Sequence, residues 1–161
     1  FGWLDILDRE FITSSSNQGF LRFFYQLNSG NEKQPYVGLY ADLSELPPRG
    51  FDISQFRYFE ARIKLSRPVI DSSISVEFVL YPVEISAPEY TFPTYEAQVH
   101  ELSTDWVTVR ADFSEFVSPR IHTGTFNFDL NTIYRVGVSV KGKPMHKTHG
   151  HLDIDFIKFA R

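Results

Sequence analysis

Apolar residues recur at every second position over most of the chain. Leu21, Phe23, Tyr25 and Leu27 alternate with Arg22, Phe24 and Gln26, and Val37, Leu39 and Ala41 alternate with Gly38 and Tyr40. The same period runs through Phe59–Leu65, Val76–Leu80, Tyr95–Val99, Val107–Phe113, Val136–Val140 and Leu152–Phe156. Successive side chains of an extended strand point to opposite faces, so this period predicts half-buried β-strands. It breaks at Ile154-Asp155-Phe156-Ile157, where two apolar residues are adjacent. That break predicts a bulge, or a strand covered on both faces.

Turn chemistry separates the runs. Asn28-Ser29-Gly30-Asn31, Pro47-Pro48-Arg49-Gly50 and Gly142-Lys143-Pro144 lie between them, and Pro68, Pro82, Pro88 and Pro93 punctuate the middle. Such residues end strands and shape loops. Short helical turns are expected at Asp52–Phe56 and Ser114–Phe116. Within Trp106–Phe116, Val107, Val109, Ala111 and Phe113 form one core stripe, followed by Phe116, and Trp106 is expected to cover one end of it. Roughly eight strands with turn signals between them predict an all-β chain, a two-sheet antiparallel β-sandwich of jelly-roll type. No internal repeat, low-complexity tract or linker divides it, so residues 1–161 are read as one domain. Residues 1–17 are either a linker or a first strand around Ile6–Ile12.

Composition supports the period. Sixteen Phe, eight Tyr and two Trp favour a pleated, half-buried surface over a helix. The net charge is −4 and no segment carries a dense basic run, so neither nucleic acid nor an anionic membrane surface is an expected partner. The absence of Cys removes disulfides, thiol catalysis and cysteine zinc sites. No apolar run approaches the ~18–20 residues of a membrane span, so no membrane insertion by this domain is expected. The chain starts at Phe1 rather than Met. It is therefore expected to be excised from a longer protein, with a catalytic or signalling neighbour.

Several segments carry a family likeness. Phe51-Asp52-Ile53-Ser54-Gln55-Phe56-Arg57-Tyr58-Phe59-Glu60-Ala61-Arg62-Ile63 resembles the entry strand of galactose-binding-like jelly rolls. Asp105-Trp106-Val107-Thr108-Val109-Arg110-Ala111-Asp112-Phe113-Ser114-Glu115-Phe116 resembles their Trp-containing strand, which ends in Phe-Ser-Asp-Phe. Leu130–Val138 and the closing Leu152-Asp153-Ile154-Asp155-Phe156-Ile157 are similar to two further strands of that group. The likeness covers roughly Phe20 to Phe159 and is closest to family 11-type carbohydrate-binding modules. It implies a non-catalytic domain that binds a polysaccharide or oligosaccharide on one concave sheet face, in an extracellular or periplasmic bacterial setting. The alternative is an extracytoplasmic ligand- or partner-sensing domain of a bacterial membrane receptor. The likeness also implies a structural Ca2+ ion, held by Asp155 of the last strand together with Asp5, Asp8 or Glu10 of the N-terminal segment.

The polar phases of the strands supply the candidate ligand contacts: Tyr58, Arg62, Glu77, Tyr81, Gln98, His100, Ser139, Lys141 and His151. Tyr36 and Tyr40 are expected beside them. Rings stack on sugar faces, and fixed polar groups bond to hydroxyls. Glu77 and Glu96 form the one carboxylate pair with a glycosidase flavour, but no nucleophile elbow, phosphate loop or HExxH motif accompanies them. No catalytic role is therefore assigned. His146, His149 and His151 lie close together near Asp153 and Asp155 and read as a polar hairpin running into a strand. Ser86–Thr94 places two rings between prolines, a loop suited to a ligand, a partner or a crossover above the core.

Overall fold

A computed structural model describes residues 9–13 (backbone only), 19–28, 35–43, 50–68, 74–83, 94–118 and 129–161. They form β1 (Arg9–Thr13), β2 (Gly19–Asn28), β3 (Tyr36–Asp42), β4 (Tyr58–Leu65), β5 (Ile74–Pro82), β6 (Tyr95–Val99), β7 (Val107–Asp112), β8 (Ile133–Gly142) and β9 (Lys147–Ala160). Every run of alternating residues lies within or overlaps one of these strands. Of the expected Ile6–Ile12 strand, β1 takes in residues 9–12, and Ile6, Leu7 and Asp8 lie outside the described residues.

The strands assemble antiparallel into a five-stranded sheet, β1-β2-β9-β4-β7, and a four-stranded sheet, β3-β8-β5-β6. The order mixes strands distant in sequence, as a jelly roll requires. The two sheets face each other across a shared core. Phe59 of β4 and Phe78 of β5 are both fully buried, with ring centroids 4.6 Å apart. Phe159 of β9 and Phe116 extend the ring cluster at 5.7 and 6.4 Å from Phe59.

The break in periodicity is a bulge. β4 pairs with β9 so that Arg62 faces Phe156 but Ile63 faces Ile154, and Asp155 is the extra residue. Ile154 and Ile157 thereby both turn inward, although they are three residues apart. A strand without the bulge would send one of them to solvent.

Two local expectations need correcting. The helical turn after β7 is a 3-10 turn over Phe113–Glu115, one residue earlier than expected. Asp112 caps it by accepting from the Ser114 backbone N–H at 2.9 Å, and that bond is the main cause of a carboxyl pushed down to about 2. Asp52–Phe56 is a plain turn, with Asp52 accepting from the Ser54 N–H at 2.9 Å. A second 3-10 turn, Leu130–Thr132, occupies the start of the segment read as one strand. Trp106 does not cover the core stripe. It lies on the outward side of β7, edge-on to Phe20 at 5.6 Å and beneath the Arg62 and Lys64 side chains. Its position follows from parity: it is one residue before Val107, whose phase points inward.

Phe59 is the ring through which the two sheets touch. Phe59→Ala is expected to lower unfolding free energy by about 3–5 kcal/mol. Urea denaturation checks this, and a loss below about 1 kcal/mol, the range of ordinary substitutions, would contradict the packing described.

Candidate functional site

The sandwich has two outward faces, and the predicted ligand contacts are divided between them. Tyr58, Arg62, His151 and Asp155 lie on the five-stranded sheet. Glu77, Tyr81, Gln98, Ser139 and Lys141 lie on the four-stranded sheet, and His100 is exposed just beyond the end of β6. A ligand lying on one sheet face therefore meets only one of these groups.

On the four-stranded sheet the cross-strand register sets the floor of the site. Gly38, Ser139, Glu77 and Gln98 form one row across β3, β8, β5 and β6. Tyr40, Gly137, Val79 and Glu96 form the next. Gly38 and Gly137 have no side chain, and the Tyr40 ring lies across them. A Cβ at Gly38 would meet its Cε2 at 2.7 Å, and one at Gly137 would collide with its ring. Glycine is needed here because an aromatic ring occupies the space of a side chain. Tyr40 packs edge-on to Tyr81 at 5.4 Å, and Tyr81 meets Tyr134 at 6.2 Å. Burial pushes both the Tyr40 and Tyr81 hydroxyls above the ordinary tyrosine range. Arg135 closes this end, donating to Asp42 at 2.6 Å and lying 5.7 Å from the Tyr81 ring centre.

At the centre is a charge triad. Lys141 Nζ sits 2.5 Å from Glu77 Oε2 and 2.5 Å from Glu96 Oε2. Thr94 Oγ1 donates to the other Glu96 oxygen at 3.3 Å. The one ammonium balances one carboxylate and leaves the pair one negative charge in excess. Burial, with Glu96 beside it, raises the Glu77 carboxyl above its ordinary value of 4.5, against the pull of Lys141. Beside Glu77, Ser139 is 2% exposed, and its Oγ finds no hydrogen-bond partner among the described residues. Sequence reasoning paired Glu96 with Glu77 but did not place Asp42, Arg135 or Tyr134 in this group. Period two sorts residues in from out, but only strand pairing brings β3, β8, β5 and β6 together.

The five-stranded face is different in kind. Its polar residues are joined by ion pairs across strands, Arg22 and Lys64 on Asp153 and Arg110 and Lys158 on Glu60. Asp155 accepts from Arg62 at 2.9 Å. Among the described residues no group of three His, Cys, Asp or Glu is placed to hold a metal ion. Asp5, Asp8 and the Glu10 side chain lie outside the described residues, as does the ring-bearing loop apart from Thr94. His149 contacts Arg67 at 3.1 Å, His146 is exposed in the β8–β9 turn, and His151 packs edge-on to Phe24 at 5.5 Å.

No family model matches the chain, and no curated protein does. Solved structures do. A family 11 carbohydrate-binding module from Clostridium thermocellum, in complex with a β-1,3-1,4-mixed-linked tetrasaccharide, superposes with a TM-score of 0.63 at 17% identity, over 95% of this chain and 81% of that one. The family 11 module of a cellulosomal cellulase of Clostridium thermocellum gives 0.61 at 18% identity, over 95% and 80%. A family 30 carbohydrate-binding module gives 0.53 at 16% identity, over 95% and 83%. The chain has the jelly-roll fold of family 11 carbohydrate-binding modules, as its motifs imply.

The Glu77 carboxyl gives a pH test of the triad. Its folded pKa lies above its unfolded one, so the folded protein keeps a proton that the unfolded chain has released. Its contribution to stability therefore falls as pH rises from about 4.5 through the folded pKa. The unfolding free energy of the native chain minus that of Glu77→Gln is expected to decline over that window, and urea titrations at stepped pH read it. A difference that is flat or rising with pH would mean that Glu77 is not held in this way.

Proposed function

We propose that the chain is a non-catalytic carbohydrate-binding domain, and that the outward face of the four-stranded sheet takes the glycan. One observation carries the choice of face. Tyr40 lies over Gly38 and Gly137 and packs against Tyr81, beside a buried Ser139 hydroxyl without a partner among the described residues. An unpaired buried hydroxyl costs about 1–3 kcal/mol, and a sugar hydroxyl laid on the floor would supply the missing bond. Tyr36 is 56% exposed at the edge strand of the same face, offering a ring for stacking on the apolar side of a pyranose. Gln98, Glu77 and Glu96 add acceptors and an amide at fixed positions for equatorial hydroxyls.

The fold shared with modules of cellulolytic systems supports a neutral β-linked glucan as the first ligand to try. It also supports an extracellular or periplasmic setting and attachment to a catalytic neighbour, whose local concentration on the polymer such a domain raises. The Glu77–Glu96 pair is tied up by Lys141 at 2.5 Å to each. That arrangement favours holding hydroxyls over delivering a proton or attacking a sugar.

Mixed-linkage β-glucan oligosaccharides are expected to raise the melting temperature, because a ligand at 100 times its dissociation constant stabilises by about 2.7 kcal/mol. Tyr36→Ala and Gln98→Ala remove exposed side chains. They are expected to leave the unliganded melting point nearly unchanged while weakening binding about 5- to 30-fold, the equivalent of roughly 1–2 kcal/mol. Calorimetry on both variants reads this. No binding across a panel of neutral glucans, xylans and mannans would overturn the reading.

A further inference from the structure

Two carboxylates under one ammonium differ in character when their other partners differ, as they do at the centre of the four-stranded sheet. β5 and β6 pair so that Glu77 stands beside Gln98 and Glu96 beside Val79. The two carboxylates are thus one row apart on neighbouring strands. Lys141 donates to Glu96 Oε2 at 2.5 Å, and Thr94 Oγ1 donates to Glu96 Oε1 at 3.3 Å. Glu96 therefore has a donor for each oxygen. Glu77 is less well provided. Lys141 stands 2.5 Å from its Oε2 but off the direction of a hydrogen bond, and that buried oxygen has no donor among the described residues. Ser139, the neighbour of Glu77 on β8, is equally unpaired at Oγ. The Glu77 and Lys141 side chains are 16% and 18% exposed, so water supplies little of what the protein withholds. A poorly satisfied carboxylate in such a place is costly. Two donors can relieve it. One is a proton on Glu77 itself, which turns the group into an acid able to donate to Glu96. Burial and the Glu96 carboxylate, within hydrogen-bonding reach, favour that form. The other is a sugar hydroxyl laid over Ser139 and Glu77, which donates to the ionised carboxylate in a charge-assisted bond. The two compete for the same oxygen.

We propose that glycan binding at this face releases a proton: Glu77 holds one in the empty site, shared with Glu96, and a sugar hydroxyl takes its place. The inference rests on the reading of the four-stranded sheet as the glycan site. The proton leaves to solvent, and no bond of the sugar changes. A ligand that favours the ionised form binds more weakly as pH falls, because binding and proton release are reciprocally linked. Affinity is therefore level above the folded pKa of Glu77 and falls about tenfold per pH unit below it, for one proton displaced per site. The neighbouring groups do not give this response. Against burial, the Glu77 and Glu96 carboxylates hold the Lys141 ammonium of β8 above the ordinary lysine range. Burial holds the hydroxyls of Tyr40 on β3 and Tyr81 on β5 above the tyrosine range. Two rows away, the Arg135 bond keeps Asp42 below the carboxylate range. Tyr36 lies at the β3 edge, and His100 is exposed just beyond β6.

The native domain is titrated with a mixed-linkage β-glucan oligosaccharide by calorimetry between about pH 4 and 8, in two buffers of different ionisation enthalpy at each pH. The difference in heat counts the protons released. Release is expected to approach one proton per site on the acid side, where affinity falls, and to vanish where affinity is level. Glu77→Gln keeps the shape of the side chain but cannot ionise, and is expected to bind with an affinity independent of pH and with no proton released. Glu96→Gln removes the like charge beside Glu77 and is expected to move the pH window downward. His100→Gln is expected to keep the native slope. A readout that needs no variant is the carboxyl carbon resonance of Glu77, expected to titrate at lower pH with glycan bound than without. Melting curves show which proteins are folded at each pH. Binding that is level across the range, or that takes up protons, overturns the inference and leaves the glycan site standing. A slope that survives Glu77→Gln, or that His100→Gln abolishes, does the same. Absence of binding at every pH removes the glycan site itself, and the inference with it.

Discussion

The extra residue that β9 carries opposite Arg62 and Ile63 is the constraint on which the five-stranded sheet depends. β9 is fourteen residues long and pairs with β2 along one part and β4 along the other. Side chains alternate strictly, so an unbroken strand would put Leu152, Ile154, Phe156 and Lys158 on one side. Lys158 would then enter the core, while Ile157 and Phe159 met water. The bulge at Asp155 flips the phase, so Ile157 and Phe159 join the apolar layer and Lys158 reaches Glu60. One additional residue thus settles two things at once: the aromatic cluster around Phe59 and the ion pairs on the outside of the sheet.

The two faces solve the problem of buried charge differently. On the four-stranded sheet, two carboxylates share one ammonium, and burial, with Glu96 beside it, raises the Glu77 carboxyl. On the five-stranded sheet, single carboxylates each take two cations. The first arrangement keeps a negative, hydroxyl-accepting floor beneath tyrosines. The second sets two cations around each buried anion. Because the sheets pack back to back through Phe59 and Phe78, these opposite characters are separated by the apolar core and do not cancel locally.

The sequence was legible wherever one strand was enough to decide. Alternation located the runs from Leu21 to Phe156, and the adjacent Phe156-Ile157 marked the break as a bulge or a doubly covered strand, of which the β4–β9 register shows the bulge. It could not assign strands to sheets. Arg62 and Tyr81 both occupy outward phases, yet they sit on opposite sides of the molecule, because outwardness is a property of a strand and membership is a property of its neighbours. Asp42 and Arg135 are 93 residues apart, and only the β3–β8 register joins them. The ion pairs of the five-stranded sheet were hidden for the same reason. Their cations alternate with apolar residues on separate strands, so no window of the chain contains a run of charge.

The doubled cations have a consequence for how such a surface can vary over time. A buried carboxylate with one partner penalises most changes at that partner, because the change strands a charge. With two partners, either is individually dispensable for folding, provided the other remains. Asp153 and Glu60 are held in this redundant way. Substitutions at Lys64 or Lys158 are therefore buffered, and the outward charge of the sheet can drift in small steps while the architecture beneath stays under selection.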